Sequence, residues 1–295
     1  MQKINKGKKV KSSFGDNLYS AVIHIVLLLF GIAALYPFLH VIAVSFSSSD
    51  YVSSGLVSIF PKGFNVEAYA GVFKNSRIFT GYKNTIYVTV LTTVLGVIVT
   101  AMTAYPLSRE TLPGRKIFLV FISATILFHA GMIPRFLVMK QLGLLDSLNG
   151  LVLAALTSGY NVTVMRNFFM NIPKSLEESA SLDGCTDVQI LFKIVIPLSK
   201  PIMSTVALWI MVAMWNAFFD PMLFLNDMNK YTLQVYLRDI VVKSSQAAND
   251  AEMGLVASDS VRYATIMVAT VPVLLFYPFI QKYFVQGVTV GAVKG

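Results

Sequence analysis

The hydrophobic positions of this chain are gathered into six long apolar runs, which are separated by shorter polar connectors. A helix needs about 20 apolar residues to cross roughly 30 Å of hydrocarbon, and inside lipid every backbone amide must be bonded within its own segment. We therefore predict an all-α integral membrane protein with six transmembrane helices. The runs lie near residues 19–46, 84–108, 117–139, 150–170, 201–225 and 262–285.

Composition and charge agree with a membrane protein and orient it. Of the 295 residues, 55% are hydrophobic and 13% are charged, whereas soluble domains carry about 25% charged residues. The first run is too long for the apolar core of a signal peptide and is predicted to remain as an anchor. Most lysines and arginines fall on the cytoplasmic side when both termini are placed there. The predicted parts are a basic arm (1–17) beside anionic membrane lipid, a transmembrane domain (18–285) and a cytoplasmic tail (286–295).

Several classes of function are excluded by what the sequence lacks. The net charge of +9 would suit nucleic acid, but the basic residues are scattered beside the runs and form no single stripe. A single cysteine, Cys185, excludes an intramolecular disulfide, and His24, His40 and His129 are too far apart along the chain to show metal-ligand spacing. There is no G-x-x-x-x-G-K-[ST] phosphate loop, and no nucleophile is paired with a base. We predict no metal, cofactor, ATP or nucleic acid bound by this chain, and no enzymatic activity of its own.

The polar connectors carry some structure. On the outer side, helices are predicted around Val66–Phe73 and at Tyr231–Val242, and a loop at 134–150 is predicted to begin at Pro134. On the inner side, Pro113-Gly114 predicts a tight turn between the second and third runs. These connectors are long enough on the outside to contact a soluble partner.

The cytoplasmic connector 173–200 begins with the pattern of a short capped helix. Ser175 and Glu178 have the S-x-x-E spacing in which each side chain bonds a free backbone amide at a helix start. The helix is predicted to end at Asp183-Gly184, because glycine can take the left-handed conformation that closes a helix. A second helix should therefore start immediately afterwards.

The second helix of this connector has its own cap and its own apolar face. Thr186 and Gln189 repeat the capping spacing, Pro197 is predicted to end the helix, and Pro201 to begin the fifth span. Two capped helices joined at a glycine predict a rigid elbow that can transmit a displacement. The alternative is an amphipathic connector that only rests on the lipid surface. The predicted apolar stripe, with i, i+3, i+4, i+7 spacing, is Val188, Leu191, Phe192 and Val195.

The same connector carries a family resemblance. The string from Glu178 to Pro197 reads E-S-A-x-x-x-G-x9-I-x-I-P and resembles the EAA signature, E-A-A-x-x-x-G-x9-I-x-L-P, of importer permeases of the ATP-binding cassette class. Ser179 and Ile196 depart from that signature, both conservatively in size. Other segments are similar to MalG-like carbohydrate-importer permeases, most closely the LplC-type oligosaccharide and polysaccharide branch. These segments are Phe128–Pro134, in which His129 replaces an expected small residue, Leu142–Asp146, Met165–Phe169, Trp215-Asn216 and 283–295.

The resemblance implies the type I importer (MetI-like) fold and a subunit of a bacterial cell membrane that moves a saccharide inward. Implied partners are a second homologous permease in a heterodimer, two ATP-binding subunits that hold ATP and Mg, and an extracytoplasmic solute-binding protein. The elbow would dock in a groove of an ATPase subunit, and the tail at Gln286 and Gly287 would add a contact. The implied ATPase-coupling residues are Glu178, Ser179, Ala180, Asp183, Gly184, Phe192 and Pro197.

A substrate path is predicted where aromatic and amide side chains occur together in the fourth and fifth runs. Aromatic faces stack on sugar rings while amides bond their hydroxyls. The same side chains also suit interfacial anchoring and helix packing, and Asp220, costly within a membrane, also suits an interfacial position. The candidate residues are Tyr160, Asn161, Trp215, Asn216, Phe219 and Asp220.

An ion-coupled secondary carrier is the alternative function. Such a carrier is expected to contain buried ionisable residues or broken helices in matching halves. The sequence shows few charges within its runs and no inverted repeat, so the ATP-driven importer is favoured.

Overall fold

The structure is a computed structural model that describes residues 14–128, 130–249, 260–272 and 274–275. Within these residues the chain is helical apart from turns and one isolated β-bridge between Ser47 and Phe64. The helices are α1 (Phe14–Ser45), α2 (Ser49–Ser53), α3 (Glu67–Lys74), α4 (Ser76–Ser108), α5 (Arg115–Leu127), α6 (Met132–Gln141), α7 (Leu148–Ala154), α8 (Gly159–Phe169), α9 (Lys174–Leu182), α10 (Asp187–Ile190), α11 (Ile196–Leu198), α12 (Lys200–Trp215), α13 (Phe219–Phe224), α14 (Leu233–Asn249) and α15 (260–272).

The helical class is confirmed, but the predicted spans are less regular than six continuous helices. In the described residues, two helices are long and apolar enough to cross a membrane, Leu18–Ser45 within α1 and Ser76–Ser108. Counting each bent helix pair as one span raises the number to five. The sixth predicted run extends past residue 275, outside the described residues, as do most of the basic arm and the tail. The number of spans and the cytoplasmic termini therefore stay predictions.

Breaks divide three of the predicted runs. The third run is split between α5 and α6, the fourth bends by 51° between α7 and α8, and the fifth is split between α12 and α13. The prediction of a loop at 134–150 was wrong, because α6 occupies much of it. Pro134 lies in the first turn of α6. Backbone N–H groups in a first turn have no intrahelical partner, so a proline there costs no hydrogen bond.

The chain divides into two compact units, and the first contains residues 1–71 and 255–267. Its small core is formed by Ala43, Val44 and Val57, against which Tyr263 packs. The apolar window of α1 has none of its residues buried in the structure. Such a helix, apolar on all sides, is suited to contact lipid or another membrane subunit.

The second unit, residues 72–254 and 268–295, is built around α4. Helices α8 and α12 pack against α4, and the buried side chains between them include Ala104, Met165 and Val206. A Cβ placed at Gly96 would lie 2.8 Å from the carbonyl oxygen of Leu156, so glycine is what permits this close approach. The unit therefore has a dense core around the C-terminal half of α4, as membrane helices with small interfacial residues do.

The helix predicted at Tyr231–Val242 is confirmed by α14. Hydrogen bonds join the start of α14 and the residues before it to α4. The backbone N–H of Leu233 donates to Thr85 Oγ1 at 2.8 Å. The side-chain amide of Asn84 donates to the carbonyl oxygens of Asn229 and Tyr231, at 2.8 and 3.0 Å. The predicted helix in the first outer connector is confirmed by α3, and the turn at Pro113-Gly114 by Gly114, which has φ of 73°.

Two connectors of the second unit are joined by an ion pair that we call the Asp146–Lys230 clamp. Lys230 Nζ donates to Asp146 Oδ2 at 2.6 Å and to its carbonyl oxygen at 2.8 Å. Asp146 Oδ1 accepts the backbone N–H groups of Asn226 and Asp227, both at 3.0 Å. These donors, Lys230 foremost, lower the pKa of Asp146 to about 2. The φ of 53° at Asp146 is a left-handed conformation that aspartate tolerates better than most residues.

Removal of the clamp cation by Lys230→Gln is expected to lower the melting temperature of the purified protein at neutral pH. A depressed carboxyl pKa contributes stability above the ordinary value of 3.8, and that contribution is lost as pH falls toward 2. The decrease in melting temperature caused by Lys230→Gln should therefore be smaller in acid than at neutral pH. Thermal unfolding in detergent across pH measures this. Lys174→Gln, which removes the cation of an exposed pair with Glu110 at 3.2 Å, is the control and should change little.

Candidate coupling surface and substrate path

The first helix of the connector 173–200 starts earlier than the sequence predicted. α9 begins at Lys174 with Pro173 at its N-cap and no side-chain capping bond, so the predicted capping box of Ser175 and Glu178 was wrong. Pro173 has φ of −56° and an extended ψ of 123°, so it lies just outside the helix, which begins at the next residue. Ser175 is consequently inside the first turn, and Glu178 is exposed on the helix surface.

The predicted helix end at Asp183-Gly184 is confirmed. α9 ends at Leu182 with Asp183 as its C-cap, and Gly184 has φ of 82°, the left-handed conformation expected of a closing glycine. The backbone N–H of Gly184 donates to Ser181 at 3.1 Å, and that of Cys185 to Ala180 at 3.0 Å. These bonds satisfy the last carbonyl groups of the helix.

The second capping box is confirmed as well. The backbone N–H of Gln189 donates to Thr186 Oγ1 at 3.4 Å, and the backbone N–H of Thr186 donates to Gln189 Oε1 at 2.9 Å. Backbone groups on both sides of Gly184 are therefore hydrogen-bonded, at the end of α9 and at the start of α10.

The apolar stripe of the second helix was predicted only in part. After α10 the chain makes a π-helical turn at Leu191–Val195 and continues through α11. The wider turn rotates the faces, so that Leu191 and Val195 are buried with Ile190 while Val188 and Phe192 are exposed. The prediction that Pro197 ends the helix was also wrong, because Pro197 lies inside α11. The predicted start of the next span is close, with Pro201 in the first turn of α12.

The connector has one buried face and one exposed face. Ile190, Leu191 and Val195 pack into the core around α4 and α8. Of the predicted coupling residues, Ala180 is buried in this core, while Glu178, Ser179, Asp183, Gly184, Phe192 and Pro197 are exposed. The exposed face also presents Leu182, whose accessible fraction is 89%, and Val188. An apolar surface of this kind is typical of a site that another protein covers.

An ion pair that the sequence did not reveal joins this connector to α4. Arg109, which caps the end of α4, donates to the carboxylate of Glu177 on α9. The guanidinium also lies 4.6 Å from the ring centroid of Tyr105. Burial raises the pKa of Glu177 by more than Arg109 lowers it, and Asp187 adds a weaker repulsion. The two residues are 68 positions apart, a separation that no helical period relates.

A groove runs beside this ion pair. It has a volume of about 610 Å³ and is lined by the end of α4, the connector that follows it and one side of α9. Its walls carry both signs of charge, with Arg109 and Lys174 facing Glu110, Glu177 and Glu178. The groove and the exposed elbow form one continuous surface for contact, which we call the coupling surface.

Three of the six residues of the predicted substrate path are each paired with a residue outside that set. Tyr160 packs on Trp209, with ring centroids 5.4 Å apart, and Trp215 packs on Tyr82 at 6.4 Å. Asp220 accepts from Arg135 at 2.6 Å, a partner that the sequence analysis did not identify.

The other predicted path residues form hydrogen bonds at helix ends or lie at the break between α12 and α13. The side-chain amide of Asn216 donates to the carbonyl oxygen of Val212 at 2.9 Å, which closes α12. The backbone N–H of Asn161 donates to Ser158 Oγ at 3.2 Å, the N-cap of α8. Phe219 is exposed at the first turn of α13. The remaining predicted positions, His129, Gln286 and Gly287, lie outside the described residues.

Comparison with known proteins gives a full-length match. The family described as binding-protein-dependent transport system inner membrane component matches residues 9–290. The polygalacturonan/rhamnogalacturonan transport system permease protein YtcP of Bacillus subtilis (strain 168) is 43% identical over 284 residues, which cover 95% of this chain and 99% of the relative. Protein LplC of the same organism is 37% identical over 275 residues, which cover 92% of this chain and 93% of the relative.

A solved structure extends the match to the backbone. A chain in the crystal structure of a bacterial ABC transporter involved in the import of the acidic polysaccharide alginate has a TM-score of 0.86 and 36% identity. The match covers 94% of this chain and 100% of that chain. The motif at the elbow, the arrangement of the helices and the full-length matches agree, and this chain belongs to the family of binding-protein-dependent transport system inner membrane components.

Proposed function

We propose that this chain is the permease subunit of an ATP-binding cassette importer that moves an oligosaccharide or polysaccharide inward across a bacterial cell membrane. The observation that carries this proposal is the elbow of α9 and α10, hinged at Gly184 and exposed beside a charged groove. The names of the relatives, which concern the transport of polygalacturonan, rhamnogalacturonan and alginate, support a carbohydrate substrate. Hydrolysis of ATP would take place on a separate subunit, which holds the nucleotide and Mg.

The coupling surface is proposed to dock on that ATPase subunit. Leu182, Val188 and Phe192 would lose contact with water in the docked state, which is a favourable contribution of roughly 25 cal/mol per Å² of apolar surface. Glu178 and Asp183 at the rim would select the orientation through charge. The buried face of the connector, including Ala180 and Val195, then passes the displacement to α4 and α8 because close-packed cores transmit strain.

The breaks in the third, fourth and fifth predicted spans support a path for a polar substrate. Irregular backbone at membrane depth is tolerated only where it is covered by protein or faces a water-filled cavity. The break before α13 carries Phe218 and Phe219, both exposed, and Asn216. Exposed aromatic and amide groups at such a break suit weak, repeated contacts with sugar rings. A second, homologous permease would close the other side of the path.

Uptake into proteoliposomes tests the proposed function. The chain is reconstituted with its second permease, its ATPase subunits and its loaded solute-binding protein, and labelled oligogalacturonate inside the vesicles is measured. Uptake is expected to require ATP, and to be unaffected by an ionophore that abolishes ion gradients. Uptake that persists without ATP and is abolished by the ionophore would instead establish an ion-coupled carrier.

A further inference from the structure

The ion pair of Arg135 and Asp220 lies where two broken spans meet. Arg135 is on the first turns of α6, after the break in the third predicted run, and Asp220 is on the first turn of α13, after the break in the fifth. Arg135 Nη2 lies 2.6 Å from Asp220 Oδ2. Charged residues within membrane spans are costly and usually mark a pathway for a polar substrate or an ion.

Within the described residues, the guanidinium of Arg135 keeps N–H donors that have no hydrogen-bond partner. Its side chain is 38% exposed and that of Asp220 is 32% exposed, so the pair lies open to the space beside it. Arginine has five N–H donors, and within the described residues Arg135 makes one side-chain hydrogen bond, through Nη2. Its Cζ lies 5.9 Å from the ring centroid of Phe224, a distance at which a cation and an aromatic ring still attract each other weakly. The free edge is suited to a planar, bidentate acceptor such as a carboxylate.

We propose that Arg135 recognises the carboxylate of a uronic acid residue as an acidic oligosaccharide passes through the permease, with Asp220 as its positioning partner. The inference rests on the proposed function and specifies its substrate class. Polygalacturonan and alginate, the polymers named for the relatives, both consist of uronic acids. Asp220 keeps the site electrically neutral when empty, so that an arriving carboxylate is bound weakly enough to leave again, as conduction requires. The exposed rings of Phe218 and Phe219 nearby on the chain offer apolar faces to the same sugar.

The alternative is that the pair only holds α6 against α13, and a double substitution separates the two roles. Arg135→Gln with Asp220→Asn leaves two amides that can still hydrogen-bond and leaves no unpaired charge. The double variant is expected to reduce ATP-driven import of oligogalacturonate by about tenfold, the size of effect of losing a charge-assisted hydrogen bond. Import per ATP hydrolysed should fall as well, because the ATPase cycle does not depend on this contact.

The control for the single Arg135→Gln variant is Arg77→Gln, which removes an exposed arginine near the start of α4 and lowers the net charge of the chain by the same one unit. Its import should match that of the unmodified protein. Import by the double variant at the unmodified rate would overturn the role of Arg135 and leave the pair as a structural contact. Loss of import in the single Arg135→Gln variant, with normal import in the double variant, would also show that the pair is only a structural contact. If the unmodified complex imports no oligogalacturonate at all, the proposed function fails instead.

Discussion

Replacement of Gly184 by proline is expected to abolish ATP-driven import while the protein remains inserted in the membrane. Proline fixes φ near −65°, whereas Gly184 has φ of 82°, and proline also removes the N–H that bonds Ser181. The cost of a proline in an incompatible position is about 3 kcal/mol or more, enough to displace the elbow. Import by the reconstituted complex should fall at least about tenfold, since each 1.4 kcal/mol corresponds to a factor of ten.

Two companion variants separate the hinge from the surface that it presents. Gly184→Asn should keep most of the import, because asparagine visits the left-handed conformation and no heavy atom lies within 4 Å of the position of its Cβ. Glu178→Lys reverses an exposed charge without touching the hinge, and it should uncouple import from ATP hydrolysis by weakening docking. Membrane insertion, measured by extraction and thermal unfolding, should be unchanged for both. Normal import by Gly184→Pro would show that the elbow is not the coupling lever.

Loss of Arg109 is expected to have the second largest effect. Arg109→Gln leaves the Glu177 carboxylate in a mostly buried position with no cation, where an unpaired polar group costs about 1–3 kcal/mol. The contact also joins α9 to the end of α4, so its loss should weaken the transmission of a displacement from the elbow to the core. We expect import to fall about tenfold and thermal stability to fall with it.

The pH dependence of the Arg109→Gln variant gives a separate test. The pKa of Glu177 is already raised by burial, and the loss of Arg109, which lowers it, should raise it further. An acid with a raised pKa in the folded state is stabilising below its ordinary value of 4.5 and loses that contribution as pH rises through the folded value. The variant should therefore recover stability in acid relative to neutral pH.

The matched control is Glu177→Gln, which keeps an acceptor for Arg109 and removes the charge that burial penalises. Arg109 is then still stacked on Tyr105 and its side chain is 20% exposed, so the loss of stability should be smaller than for Arg109→Gln. Equal losses of stability in the two variants, with no dependence on pH, would contradict the assignment of Glu177 as a buried carboxylate.

The helices were predictable where local rules are sufficient. The apolar runs placed α1 and α4, the box at Thr186 placed α10, and the glycine at position 184 placed the hinge. Local capping and periodicity rules failed where a neighbouring residue or an irregular helical turn changed the backbone. At α9 a capping box was outweighed by the proline before it, and at Leu191–Val195 a π-helical turn rotated the apolar stripe.

The sequence by itself determined that this is a helical membrane protein of the importer permease class, because hydropathy, capping and a twenty-residue motif act over short distances along the chain. Only the tertiary structure decided which charges meet. Arg109 with Glu177, Arg135 with Asp220, and Lys230 with Asp146 are each joined across 68 to 85 positions. Such pairs depend on how the helices pack against α4, and packing is a property of three-dimensional contact that no period along the chain encodes.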